Sequence, residues 1–357
     1  MEVGANGAGR LTANLPMDLT PFLSSAPTVE DCWRGVVLYG RNTASYKFAL
    51  ASALLEMRPQ AGQLIKLDEL APAFALSVAR HLADAPKQIT TSNGKFIEAC
   101  LTYNQDQHLG TLVDSAVSHG FANVIDAFHV VASTPVAQRF FIDERRENKG
   151  IRITDEFSLL TTGSQVGNLE QEVDSRWRLV ETAWNLGISA NLLCVHHDDE
   201  VGEMFTFDKA NRRKSVTSSR GALNGYQKGR CFYCFTDLAL SGDAMNTDVD
   251  HFFPHKLKQA GLGVNFDGVW NLVLSCHTCN RGARGKFDRI PSGRLLQRLQ
   301  SRNEYLIGSH HPLRETLMQQ TGMTARERTA YLAGINQKVQ LNPSLAWDTE
   351  QVMPDQF

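Results

Sequence analysis

Apolar residues recur at helical spacing through most of the first two-thirds of the chain. A stripe at every third or fourth position is typical of helices that bury one face. This pattern predicts helices over residues 45–57, 67–85, 108–131 and 168–187. Asn168 can cap the last of these helices and Gly187 can end it.

Shorter apolar runs next to the last helix predict a small sheet or hairpin. These runs are rich in residues that favour strands, and they cover residues 152–160, 190–199 and 203–208. Beyond Pro291, capping signals delimit further helices, over residues 293–307, 312–321 and 325–339. Thr324 and Glu327 have the spacing of a capping box. The expected fold class is therefore α+β and mainly α.

Charge is distributed unevenly along the chain. The 357 residues are 42% hydrophobic and carry a net charge of −2, which is ordinary for a globular protein of two or three domains. Residues 209–230, however, hold seven Lys or Arg and no acidic residue. This stretch predicts a linker, followed by a short helix capped near Ser218 or Ser219, and we place a domain boundary near residue 210.

Targeting and membrane signals are missing from the sequence. No apolar run has the length of a membrane span, and the N-terminal residues lack the pattern of a signal peptide. We therefore expect a cytoplasmic protein without a membrane partner. Cys32, Cys100 and Cys194 stand alone and are expected to be small buried hydrophobes.

The remaining four cysteines form two C-x-x-C pairs, Cys231 with Cys234 and Cys276 with Cys279. Two such turns can present four thiolates to one tetrahedral Zn²⁺ ion. A single pair would also suit a redox site, but neither pair opens a helix in a thioredoxin-like unit. We expect a structural zinc site.

Between the pairs, "DVDHFFPH" places Asp250 beside His251, and "WNLVLSC" and "CHTCNRGARGKFD" supply Asn271 and Asn280. Alone, an Asp-His pair near a turn is often a surface pair or a cap. Together, these motifs resemble the HNH, or ββα-metal, endonucleases over about residues 228–291. The resemblance implies that His251 activates water, that Asp250 and Asn280 bind a divalent cation such as Mg²⁺ or Mn²⁺, and that Asn271 orients the histidine. Asn280 stands where the literal motif has a second His.

Cations after the second pair, Arg281, Arg284 and Lys286, are expected to contact DNA phosphates, with a solvated face as the alternative. Other histidines have simpler explanations: a helix start for His255, a polar loop for residues 196–199 and an interhelix joint for residues 310–311. His277 remains a minor candidate for a zinc ligand.

The sequence thus predicts three parts. Residues 1–210 form a mainly helical domain for targeting, sensing or binding a partner protein or another copy of the chain. Residues 211–291 form an HNH nuclease domain that cuts DNA, and residues 292–357 form helices packed on it. Analogy with the family suggests a restriction or anti-phage defence effector. The alternative is a zinc-stabilised module that binds nucleic acid or protein without catalysis.

Overall fold

The computed structural model describes most of the chain between residues 28 and 349. The described ranges are 28–38, 44–90, 94–131, 134–163, 165–186, 194–198, 200–208, 211–240, 245–308, 313–339 and 346–349. The predicted helix end at Gly187, the boundary at residue 210 and the joint at residues 310–311 lie outside them.

The described residues form an α+β fold that is mainly helical, as the sequence predicts. Its α-helices are α1 (Val29–Leu38), α2 (Tyr46–Met57), α3 (Leu67–Asp84), α4 (Lys95–Asp106), α5 (Leu109–Ser115), α6 (Val124–Ala127), α7 (Arg145–Asn148), α8 (Asp155–Thr162), α9 (Val166–Leu186), α10 (Ser219–Gln227), α11 (His277–Arg281), α12 (Gly293–Gly308), α13 (Arg314–Thr321) and α14 (Ala325–Val339). None of them combines the length and the hydropathy that a membrane crossing needs.

The strands are short and form small antiparallel sheets. They are β1 (Leu64–Lys66), β2 (Val130–Val131), β3 (Thr134–Pro135), β4 (Phe141–Glu144), β5 (Gly150–Ile153), β6 (His196–Asp198), β7 (Glu203–Phe207), β8 (Arg213–Ser218), β9 (Thr247–His251) and β10 (Leu272–Cys276). The sheets have the orders β1-β5-β4, β2-β3, β6-β7-β8 and β9-β10.

Two apolar clusters share helix α9. Val173 and Val180 belong to a cluster formed with α1 to α5 and α8, whereas Leu179 and Ala183 belong to a second cluster. The second cluster contains the cysteine pairs, the β9–β10 hairpin and α12 to α14. The helix is 21 residues long and buries apolar side chains toward both cores.

Most of the predicted helices are confirmed within one or two residues, and the Thr324–Glu327 capping box forms. The single helix predicted over 108–131 is wrong. There α5 passes into a π-helical turn that ends at Gly120, where a Cβ would lie 2.8 Å from the Phe74 ring. Asn168 does not cap α9, because its buried side chain bonds to Leu238 and Leu240 instead.

The β-like stretches are confirmed only in part. Residues 152–160 hold the end of β5 and then helix α8, so the strand prediction is confirmed only for residues 152–153 and is wrong for residues 155–160. Strands β6 and β7 pair as predicted. The supposed linker is also wrong in part, since β8 lies within it and pairs with β7 before α10 begins at Ser219.

Candidate metal centre and active site

The first cysteine pair lies in a tight turn directly after α10. The Cys231 amide donates to the Thr236 carbonyl at 2.9 Å, and the Phe235 amide donates to the Cys231 carbonyl at 3.0 Å. Phe235 adopts a left-handed conformation with φ of 61°. These bonds fold the chain back within six residues and fix both cysteines of the pair.

The second pair joins β10 to α11. Cys276 is the N-cap of α11, and its Sγ accepts from the Cys279 amide at 3.4 Å. The Cys276 amide in turn donates to Cys231 Sγ at 3.3 Å, which links the two turns. Amide donors aimed at sulfur favour the thiolate, the form that binds metal.

The four sulfurs fit one tetrahedral metal ion. All four cysteines are buried, and their Sγ atoms lie within 4.8 Å of one another. Cys234 Sγ and Cys276 Sγ are 3.7 Å apart, and a tetrahedron with Zn–S bonds of about 2.3 Å separates its sulfurs by about 3.8 Å. In the described part of the chain, no other set of three His, Cys, Asp or Glu converges in this way. The cluster could hold a structural metal ion.

The β9–β10 hairpin and helix α11 together form a ββα unit. The four sulfurs bring this unit against the turn that holds Cys231 and Cys234. His251 pairs with Leu272 and Asp250 with Val273 in antiparallel register. Because strand residues alternate between faces, Asp248 and Asp250 share one side of β9 and His251 faces the other. Helix α11 packs against both strands.

Asp248, which the sequence analysis did not single out, binds Asn280. Asn280 Nδ2 donates to Asp248 Oδ2 at 3.0 Å. Arg281 Nε lies 3.2 Å from the same oxygen, and His277 Nε2 lies 3.4 Å from Oδ1. The carboxylate therefore gathers three side chains of α11.

Asp250 is buried between two donors. The Tyr233 hydroxyl donates to its Oδ2 at 2.6 Å, and Lys286 Nζ lies 3.2 Å from its Oδ1. Burial raises the pKa of Asp250, against the opposing effects of Lys286 and Tyr233. Burial likewise lowers the pKa of Lys286, against the attraction of Asp250. Both oxygens of Asp250 are therefore engaged inside the protein.

Two glycines bring Lys286 into this position. A Cβ at Gly282 would lie 2.5 Å from the Thr278 carbonyl oxygen, and one at Gly285 would lie 2.8 Å from the Gly282 nitrogen. This close turn lets the Lys286 amide donate to the Cys279 carbonyl at 2.6 Å. The chain reverses direction after α11, and this reversal places the Lys286 side chain in the interior of the protein.

The expected cation ligands, Asp250 and Asn280, bond to different partners and do not form a common divalent-ion site in this arrangement. An ion at Asp250 would have to displace Lys286 from a sealed ion pair, because Asp250 neutralises this buried lysine and accepts from Tyr233. Asn280 directs its amide to Asp248 instead.

His251 lies at the end of β9 on the opposite side. Its Nε2 is 3.1 Å from Asp267 Oδ1, and His255 Nε2 is 3.8 Å from the same oxygen. Lys258 also pairs with Asp267. A carboxylate bonded to one ring nitrogen fixes the imidazole tautomer, so Nε2 of His251 carries the proton that Asp267 accepts.

Asn271 is fully buried and holds the segment after His251. Its Oδ1 accepts from the Phe253 amide at 2.8 Å. Its Nδ2 donates to the carbonyls of Phe253 and Phe266 at 2.9 and 2.8 Å. The side chain thus ties the end of β9 to the loop before β10.

The three cations proposed for DNA contact lie in different environments. Arg281 and Arg284 are exposed, whereas Lys286 is fully buried on Asp250. His277 sits beside Asp248 and is not one of the four converging ligands. His197 is buried and bonds to Ser219, 6.3 Å from the His251 ring.

Sequence reasoning missed Tyr233, Asp248 and Asp267. The two-residue spacing of Asp248 and Asp250 on a strand would have placed them on one face. The position of Tyr233 within the first cysteine turn offered a weaker signal, and nothing local linked Asp267 to His251.

Comparisons with protein-family models, curated proteins and solved structures find no match to this chain. Its function has therefore to be inferred from the residues of the site.

Proposed function

We propose that this protein is a metal-dependent HNH endonuclease that hydrolyses DNA phosphodiester bonds. The observation that carries the proposal is the position of His251. It ends the first strand of a ββα unit closed by four cysteines, and its ring contacts Asp267. The motif residues Asp250, Asn271 and Asn280 lie in the same unit.

In this proposal, His251 removes a proton from water, and the resulting hydroxide attacks the phosphorus in line with the leaving 3′ oxygen. Asp267 holds the imidazole and stabilises the imidazolium that forms. A divalent cation, Mg²⁺ or Mn²⁺, would supply charge stabilisation on the phosphate. Because Asp250 is engaged by Lys286, we assign no step to a cation on Asp250 and Asn280.

The remaining parts have supporting roles. Zinc is proposed for Cys231, Cys234, Cys276 and Cys279, since four buried sulfurs suit a soft structural ion. Arg281 and Arg284 are exposed and would contact the DNA backbone. We propose that residues 1–210 select the target, sense a signal or bind a partner, as in a restriction or anti-phage defence effector.

Plasmid cleavage tests the proposal. Supercoiled DNA is incubated with the full chain and Mg²⁺ or Mn²⁺, and His251→Ala is expected to reduce the cleavage rate by about 10² to 10⁴-fold. His196→Ala, which changes a histidine on strand β6, should cleave like the wild type. Equal cleavage by His251→Ala and the wild type would exclude the histidine as the base.

The alternative is a zinc-stabilised module that binds nucleic acid or protein without catalysis. The buried pair of Asp250 and Lys286 favours it, because this pair gives the motif aspartate a structural role. DNA binding that is equal in wild type and His251→Ala, with no cleavage by either protein in any metal, would support this alternative.

A further inference from the structure

The surroundings of Asp248 differ from those of Asp250. Asp250 and its lysine partner have side chains 7% and 1% exposed, so that ion pair is sealed from solvent. Asp248 is 16% exposed, and its charged neighbour Arg281 is 59% exposed. The side chain of an exposed arginine can leave its ion pair and move into water at a small cost in free energy. Of the two carboxylates, Asp248 is therefore the one that can exchange its counter-ion.

Next to Asp248, His277 has a buried nitrogen with no hydrogen bond. Its Nε2 is enclosed and lacks a hydrogen-bond partner, although it points toward Asp248 Oδ1 at 3.4 Å. A buried polar atom without a partner costs free energy. Coordination to a metal ion would satisfy it.

The spacing of the donor atoms also suits an ion. Asp248 Oδ2 lies 3.0 Å from the Asn280 amide nitrogen, and Asp248 Oδ1 lies 3.4 Å from His277 Nε2. Adjacent ligands of an octahedral ion with bonds of about 2.1 Å lie about 3.0 Å apart. A half-turn of the Asn280 amide would present its oxygen in place of the nitrogen.

We propose that Asp248, His277 and Asn280 form a second metal site, separate from the four cysteines. One carboxylate, one imidazole and one amide oxygen suit a first-row divalent ion such as Mn²⁺, Co²⁺ or Ni²⁺. Water fills the remaining positions, and Arg281 turns toward solvent. His277 and Asn280 are three residues apart on α11. Each directly follows a cysteine of the other site, Cys276 and Cys279 respectively.

Mn²⁺ binding to the full chain, with its cysteine site loaded with zinc, tests this site. The loss of the free Mn²⁺ electron paramagnetic resonance signal is expected to show one bound ion per chain. Asp248→Asn and His277→Ala should each weaken binding by roughly tenfold or more. His255→Ala removes a histidine that lies near a different carboxylate, Asp267, and should bind Mn²⁺ as the wild type does.

Absence of Mn²⁺ binding by the wild type at millimolar concentration, or unchanged binding by both variants, would overturn the proposal. Zinc content shows whether each variant is folded. If one of the two variants loses its zinc, proton NMR of the wild type tests the location of the bound Mn²⁺ instead. The ion should broaden the ring signals of His277 at a lower Mn²⁺ concentration than those of His255. The assay needs neither DNA nor turnover, so its failure is distinct from failure of the nuclease proposal.

Discussion

Asp250 and Lys286 depend on each other at the residue scale. Burying two charges costs several kcal/mol per ion, and a partner at hydrogen-bonding distance offsets that cost. Here the separation is 3.2 Å, and Tyr233 satisfies the second carboxylate oxygen. Loss of either charge would leave the other buried without compensation.

Lys286→Met is therefore expected to lower the free energy of unfolding by about 3–5 kcal/mol, and combining it with Asp250→Asn should recover most of the loss. Urea unfolding measures both. Lys256→Met is the matched control, because Lys256 is 56% exposed and pairs with Asp288 only at 3.7 Å. Equal stability of Lys286→Met and Lys256→Met would show that the buried pair contributes nothing.

Some residue roles could be predicted from local sequence and others could not. The convergence of the four cysteines follows from their spacing, because each C-x-x-C turn presents two sulfurs. The burial of Lys286 depends on the close turn at Gly282 and Gly285, which a charge pattern does not reveal. The contact of His251 with Asp267 spans sixteen residues and depends on the fold of the loop between β9 and β10.

At the element scale, α11 has five residues and is too short to be stable alone. Cys279 lies in the first turn of α11, and Asn280 directly follows Cys279. Metal binding by the four cysteines would therefore fix both the helix and the hairpin beneath it.

Cys279→Ser is expected to release the metal and to abolish hydrogen-exchange protection of the β9–β10 amides. Asn280→Ala, one residue later, should keep one zinc per chain and full protection. Metal analysis and exchange mass spectrometry measure both effects. Retention of zinc and of amide protection in Cys279→Ser would contradict a stabilising role for the cluster.

Element prediction succeeded where a long apolar stripe was present, as in α2, α3 and α9. It failed for β8, whose first three residues, Arg213, Lys214 and Ser215, are exposed and polar and whose buried residues are Val216 and Thr217. A strand with so short an apolar signal is recognisable only through its pairing with β7. Local propensity could not supply that information.

At the scale of the whole molecule, the two cores are joined through α9. The second core takes Leu179 and Ala183 from this helix, and Val195 and Met204 from the segment after it. All four residues precede residue 210, where the sequence suggested a domain boundary. The apolar contacts of the second core thus extend across the proposed boundary.

A fragment of residues 211–357 is accordingly expected to melt at a lower temperature than one of residues 165–357, or to aggregate. It lacks the α9 face that covers the second core, and buried apolar area is the main source of stability. Circular dichroism melting and size-exclusion chromatography compare the two fragments. Equal melting temperatures would support an independent domain that starts near residue 211.

Two buried arginines of α12 bind backbone carbonyls next to the four cysteines and in the β9–β10 hairpin. Arg298 donates to the carbonyls of Phe232 and Tyr233 at 2.7 and 3.1 Å, and Arg302 donates to that of Leu272 at 2.6 Å. On the ribosome, these carbonyls lack their donors until α12 has left the exit tunnel. The order of synthesis is therefore expected to leave these three contacts unmade until α12 and the residues before it have been synthesised.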